Sequence, residues 1–358
     1  MTALTSAARR RCLGSILAAG LLLLTTAMPP AWAFDLQGHR GARGLAPENS
    51  LPGFQRALAV GVTTLELDVG LTRDGVLVIH HDRRLNPDLT RGPDGQWLAA
   101  PTGAAASGPT ASPSASPSAS PPLLPTLHSL DFADLARYDV GRIRPGTRYA
   151  AQYPAQVGED GVRIPRLQDL FALLQARGLT SAVRLNIETK LSPLAPEETA
   201  PPEVMARALI AAVRAAGLTA RTTVQSFDWR TLQVVQREAP ELATAYLSAQ
   251  QSWLDNIGAG LAAPSPWTAG VAWAAHGSVP KMVHAAGGRI WSPFHGDLTP
   301  ALLDEARRLG LKVLPWTVND PAQMARLVEW GVDGLITDRP DLLREVLQRL
   351  GRPVPPAR

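Results

Sequence analysis

The sequence predicts an α/β chain folded as a closed (β/α)8 barrel, and three observations carry that reading. Short β-branched or aliphatic runs take turns with helical patterns, and such alternation builds a parallel sheet with crossover helices. Eight of these runs follow position 33, in a length that suits a barrel of about 250 residues plus insertions. Gly217, Gly310 and Gly331 each stand where a helical pattern ends and a strand soon begins. A doubly wound open sheet is the competing architecture.

In chain order, the strand-like runs fall at 34–37, 64–69, 182–188, 221–226, 242–247, 289–293, 312–316 and 334–337. Helical patterns separate them at 51–60, 167–177, 204–216, 231–238, 301–309, 322–330 and 341–350, leaving 351–358 as a C-terminal tail of the 34–350 domain. Residues 1–33 read as a cleaved export signal. Arg9, Arg10 and Arg11 form a positive start, an apolar stretch too short for a bilayer follows, and Ala31-Trp32-Ala33 supplies small cleavage residues. A periplasmic or secreted protein is expected, with no stable membrane insertion after cleavage. Pro264, Pro266 and Pro280 likewise break the uncharged stretch 256–280 as a membrane helix.

Composition narrows the function. With 45% hydrophobic residues in 358, the chain is neither a fibre nor fully disordered. Without the three N-terminal arginines, 32 basic residues face 31 acidic ones, which removes the support for nucleic-acid binding through a broad basic field. The single cysteine, Cys12, lies in the signal, so the mature chain has neither a disulfide nor a thiol nucleophile. All residues of 101–122 are Pro, Ala, Ser, Gly or Thr, and a tract with nothing large to bury is expected to be disordered.

Active sites of such barrels lie at the C-terminal ends of the strands. The first strand ends in Gly38-His39-Arg40-Gly41, pairing a proton-transfer group with a fork-shaped anion binder. Glu66 and Asp68, two apart on the second strand, share a face, and two carboxylates pressed together need a cation or a proton between them. Asp74-Gly75 between apolar runs predicts a hairpin that folds His80-His81 back to that strand's end, where only one imidazole can face the site. Asn186, Glu188 and Lys190 share a side of the next strand. The third carboxylate makes an oxygen-rich site for one divalent cation, Mg2+ or Ca2+, and no paired His or Cys spacing favours zinc. His295, just past the sixth strand, is placed for a substrate contact, and Trp316 can wall the pocket.

Together these residues resemble the glycerophosphodiester phosphodiesterase family. The landmarks are His39-Arg40-Gly41 with Pro47-Glu48-Asn49-Ser50, Glu66-Leu67-Asp68-Val69, Asp74-Gly75 to His81-Asp82, Asn186 to Lys190, Gln225-Ser226-Phe227, Trp316 to Asn319, and Gly331 to Pro340, in the family's order. The resemblance implies a TIM barrel with a small insertion between strand two and the next helix, at 83–160. It further implies a metal held by Glu66, Asp68 and Glu188, catalytic His39 and His81, phosphate contacts from Arg40 and Lys190, and pocket roles for Asn49, Gln225 and Trp316. Departures are Ser50 where Thr is common, the extra His80, and the Ala/Ser/Pro tract in the insertion. The implied reaction is metal-dependent hydrolysis of a small-molecule glycerophosphodiester to sn-glycerol 3-phosphate and an alcohol. Two alternatives stand beside it: a phospholipase D-like barrel acting on lysophospholipid or sphingolipid, and a non-catalytic exported protein that captures glycerophosphodiesters. A glycosidase that inverts is disfavoured because Glu66 and Asp68 on one strand lie too close together. The choice between Mg2+ and Ca2+, the acid and base assignments of the histidines, and the oligomeric state are not read from the chain.

Overall fold

A computed structural model describes residue 2, residues 34–99 and residues 124–358. The expected signal (Thr2 aside) and the 101–122 tract lie outside the described residues. The elements run β1 (Asp35–Gly38), α1 (Leu51–Val60), β2 (Thr64–Leu71), β3 (Leu77–Ile79), α2 (Phe132–Leu135), α3 (Arg148–Gln152), α4 (Leu167–Ala176), β4 (Arg184–Thr189), α5 (Pro202–Ala215), β5 (Thr222–Ser226), α6 (Trp229–Glu238) and β6 (Ala243–Ser248). Then come the hairpin β7 (Gln250–Gln251) and β8 (Leu254–Asp255), α7 (Trp273–His276), α8 (Val279–Ala285), β9 (Ile290–Pro293), α9 (Pro300–Arg308), β10 (Lys312–Val313), α10 (Pro321–Trp330), β11 (Gly334–Thr337) and α11 (Pro340–Arg349).

Eight parallel strands make the barrel, in the order β10-β9-β6-β5-β4-β2-β1-β11. The two ends of this path meet through three backbone hydrogen bonds, Asp333 N to Val313 O, Ile336 N to Pro315 O and Val318 N to Ile336 O, each 3.0 Å. An open doubly wound sheet has no such seam, so the competing architecture is excluded. β10 is shorter than its apolar run because Pro315 has no N–H to give the ladder. The chain nevertheless stays extended, with Trp316 N bonded to Pro293 O at 3.1 Å.

Helix starts follow from capping. Ser50, Ser278, Thr299 and Asp320 each accept a first-turn N–H, and a proline follows at an early helical position. Sequence patterning missed α8, because Pro280 reads as a breaker; it sits in the first turn, where no intrahelical N–H is needed. Between helices and sheet lies the main core, with Leu36, Phe54, Leu58, Leu67, Ile187, Trp229 and Leu335 at 0% exposure. Each such side chain contributes about 1.5–3 kcal/mol by leaving water. Within the barrel a polar column replaces part of the usual aliphatic filling: Asn186 Nδ2 donates to Gln37 Oε1 and to Gln225 Oε1, both at 2.9 Å.

The Asp74-Gly75 turn folds β3 antiparallel onto β2, pairing Val69 with Ile79. The chain then leaves the barrel before rejoining it at α4. This excursion has its own small core of Val78, Leu85, Leu127, Leu135 and Ile164. The last residues pack back on the barrel, where Arg358 N donates to Leu58 O at 2.9 Å. Among the described residues, no helix is long and apolar enough to cross a membrane.

Candidate active site

Strand register brings the acidic residues together. β2 and β4 pair Asp68 with Glu188, and β4 and β5 pair Glu188 with Gln225, so these side chains reach the same end of the barrel. Glu66, Asp68 and Glu188 offer oxygens that all lie within 4.8 Å of one another. Gln225 Nε2 and the Arg40 backbone N–H each donate to Glu66 at 2.8 Å, while Asn49 Nδ2 donates to Asp68 Oδ2 at 2.8 Å. Lys190 Nζ donates to Glu188 Oε1 at 2.7 Å and lies 3.6 Å from Asp68 Oδ1.

The electrostatics are those of a cation site. Burial and the neighbouring Asp68 push Glu66 well above the usual carboxylate range. Burial raises Glu188 to about 7, with Lys190 opposing and Asp68 adding to the rise. Burial would raise Asp68 too, but the His81, Lys190 and Arg40 charges hold it below its ordinary value. Three buried carboxylates thus cannot all ionise together without a positive charge among them. Asp68 Oδ1 is buried with no hydrogen-bond partner, an acceptor left for a ligand. This all-oxygen donor set fits a hard divalent cation.

The loop after β1 sets His39 and Arg40. Gly41 takes a φ of +87°, and a Cβ there would stand 2.8 Å from the Gly53 carbonyl carbon, so the tight return needs glycine. His39 Nδ1 lies 2.6 Å from Asp338 Oδ1, leaving Nε2 3.9 Å from Glu66 Oε2. His81 is similarly held, Nδ1 2.7 Å from Asp82 Oδ1. A carboxylate at each Nδ1 keeps the proton there and presents Nε2 to the cavity. Burial, then the Arg43 charge, lowers His39 to about 4, and burial with Arg40 and Lys190 does the same for His81. His80 turns away from the cavity, its Nδ1 2.9 Å from Asp82 O.

These groups open on a cavity of about 360 Å³, whose wall includes His39, Arg40, Glu66, His81, Glu188, Lys190, Gln225 and Trp316. Trp316 packs edge-on to Phe227, ring centres 5.3 Å apart. Two expected pocket residues lie elsewhere. Asn49 stands behind the wall as a hydrogen-bonding support for Asp68. His295 is outside the lining, its Nδ1 taking a 2.7 Å hydrogen bond from Gln323.

Sequence reasoning gave no role to Arg43, nor to Asp338, which stands in the last of the landmark runs. Arg43 Nε and Nη2 reach both Asp338 oxygens, at 2.9 and 3.1 Å, and Asn319 Nδ2 donates to the same carboxylate at 2.7 Å. The signal was present: Asp338 directly follows the last strand, where barrel sites collect. Trp253 and Trp267, from the β6–β9 connection, complete the aromatic side of the cavity.

A model of the Glycerophosphoryl diester phosphodiesterase family matches residues 39–342. A protein of Silicibacter pomeroyi that carries the family's name has a crystal structure aligning with a TM-score of 0.74 at 34% identity, over 90% of this chain and 95% of that one. A glycerophosphodiester phosphodiesterase of Caldanaerobacter subterraneus is 26% identical over 313 residues, 87% of this chain and 97% of the relative. An Oleispira antarctica phosphodiesterase, solved with the product sn-glycerol-3-phosphate, shares the fold with a TM-score of 0.58 at 20% identity, over 87% of this chain and 96% of that one. Matched from its first site histidine to its last helix, the chain belongs to the glycerophosphoryl diester phosphodiesterase family.

Proposed function

We propose that the chain hydrolyses small glycerophosphodiesters to sn-glycerol 3-phosphate and an alcohol, with a divalent cation held by Glu66, Asp68 and Glu188. One observation carries this reading: the three carboxylates share an end of the barrel with two imidazoles, each tethered at Nδ1 by a carboxylate and lining the same cavity. The cation, when bound, supplies Lewis-acid polarisation of the phosphoryl oxygen. Arg40 and Lys190 meet the remaining phosphate charge, which grows as the fifth oxygen approaches phosphorus. The P–O bond to the alcohol breaks while the attacking hydroxyl loses a proton and the departing oxygen gains one. His39 and His81 divide these two transfers through Nε2. Both rest as neutral imidazoles at pH 7, which suits the base. The other takes a proton from solvent at Nε2 when the anionic diester lies beside it, and gives that proton to the departing oxygen. The export signal expected at residues 1–33 supports a site of action outside the cytoplasm, in the periplasm or beyond.

The test is product analysis with mature protein and several glycerophosphodiesters, with and without added Mg2+ or Ca2+. Release of sn-glycerol 3-phosphate that stops on chelation is expected, and no product with any diester and either ion would overturn the reading. A second reading, lysophospholipid cleavage, is favoured by exposed apolar side chains beside the cavity: Trp253, which lines it and is 58% exposed, and Leu194, 71% exposed, which shares a neighbouring groove with Trp253. Faster turnover of micellar lysophosphatidylcholine than of glycerophosphocholine would select it.

A further inference from the structure

We propose that Tyr149, on the short helix α3 outside the barrel, is a positioning residue for anion recognition: it holds Glu48, and Glu48 aims the Arg40 guanidinium. This rests on the reading above that Arg40 meets a phosphodiester. Arg40 Nη1 donates to Glu48 Oε1 at 2.6 Å, while its Nε is buried, has no hydrogen-bond partner and lies 3.4 Å from Asp68 Oδ2. The guanidinium is thus anchored at one end and keeps donors for a ligand. The other Glu48 oxygen accepts from the Tyr149 hydroxyl, and that hydroxyl accepts from Arg43 Nη1 at 3.3 Å. One phenol therefore ties together two of the cations that line the cavity. The same segment grips the β1 loop again, through Gln156 Nε2 to Arg43 O at 2.7 Å and Val157 N to Leu45 O at 3.0 Å, and Arg43 stacks 4.8 Å over the Tyr153 ring.

Core packing does not account for α3. The helix has five residues, none buried, and its specific contacts point at Arg43 and Glu48. A long arginine left free loses rotamer freedom on gripping phosphate, whereas a carboxylate fixed by a stiff phenol settles that cost in advance. The segment after β3 therefore sets the strength of phosphate binding without touching the ligand.

The experiment compares wild type, Tyr149→Phe, Glu48→Gln and the double variant. It reads sn-glycerol 3-phosphate release and, separately, calorimetric binding of inorganic phosphate to the Mg2+-loaded protein. Tyr149→Phe is expected to weaken phosphate binding and kcat/KM by about 10- to 100-fold, the range of a hydrogen bond to a charged group. Mg2+ affinity and Tm should stay near wild type, and the double variant should be no worse than Glu48→Gln alone. A Tyr149→Phe protein within twofold of wild type in phosphate affinity, or losses that multiply in the double variant, would overturn the proposal. If wild type binds phosphate but cleaves no diester, the assigned reaction fails while the phosphate data still judge Tyr149. If wild type cleaves diesters and Tyr149→Phe binds phosphate normally, the reaction stands and Tyr149 has no such role. Wild type that does not bind millimolar phosphate contradicts both.

Discussion

Replacing Asp338 by Asn probes the link between the last strand and catalysis. The carboxylate takes four donors, His39 Nδ1 at 2.6 Å, Arg43 Nε at 2.9 Å, Arg43 Nη2 at 3.1 Å and Asn319 Nδ2 at 2.7 Å, and is 2% exposed. An amide keeps one acceptor oxygen and sets an NH2 against donors on its other side. If that NH2 faces Arg43 Nη2 and Asn319, the buried Arg43 charge loses its counterion, a loss of about 3–5 kcal/mol. If it faces His39, the imidazole must accept at Nδ1 and carry its proton on Nε2, the wrong tautomer for taking a proton from the cavity. Misdirected tautomers in comparable acid–base pairs lower kcat by about 10²- to 10⁴-fold. The assay is steady-state turnover of glycerophosphocholine with saturating Mg2+, at a temperature where circular dichroism shows the variant folded, together with a thermal melt. Expected are a kcat lowered by at least about 100-fold and a Tm lower by about 4–8 °C. A variant with wild-type kcat and Tm would refute the claim that Asp338 orients His39 and neutralises Arg43.

Other outcomes follow from the same geometry. His39→Ala and His81→Ala each lower kcat by about 10²- to 10⁴-fold with the melt little changed, checked by turnover and calorimetry. Because burial raises Glu188 to about 7 and lifts Glu66 as well, a cation must displace protons at low pH; the Mg2+ dissociation constant measured by titration calorimetry rises as pH falls below 7, about tenfold per unit per proton released. Gly41→Ala meets both a φ of +87° and a 2.8 Å contact with Gly53, so it lowers stability by about 1–3 kcal/mol in denaturant unfolding and slows turnover by displacing His39 and Arg40.

Local periodicity made much of the site legible. Two-residue spacing puts Glu66 with Asp68 and Glu188 with Lys190, and the Asp-Gly hairpin brings His81 back to β2. A turn consumes residues that patterning can count. The partners of Arg43, Asp338 and Tyr149 were not legible, because they lie far away in sequence: Asp338 meets a histidine 299 positions earlier, and Tyr149 a glutamate 101 positions earlier. Neither separation leaves a local pattern. The same limit explains His295, whose position after a strand was correctly read while its preference for Gln323 was not visible. Barrel closure needed the structure too, since alternation of strands and helices is shared with open sheets.

The proposed hydrolysis requires that Glu66, Asp68 and Glu188 hold one cation between them. Anomalous diffraction from crystals grown with Mn2+ tests it most directly. A single strong peak is expected about 2.0–2.4 Å from an oxygen of each of the three carboxylates. A peak elsewhere, with these oxygens bare, would contradict it.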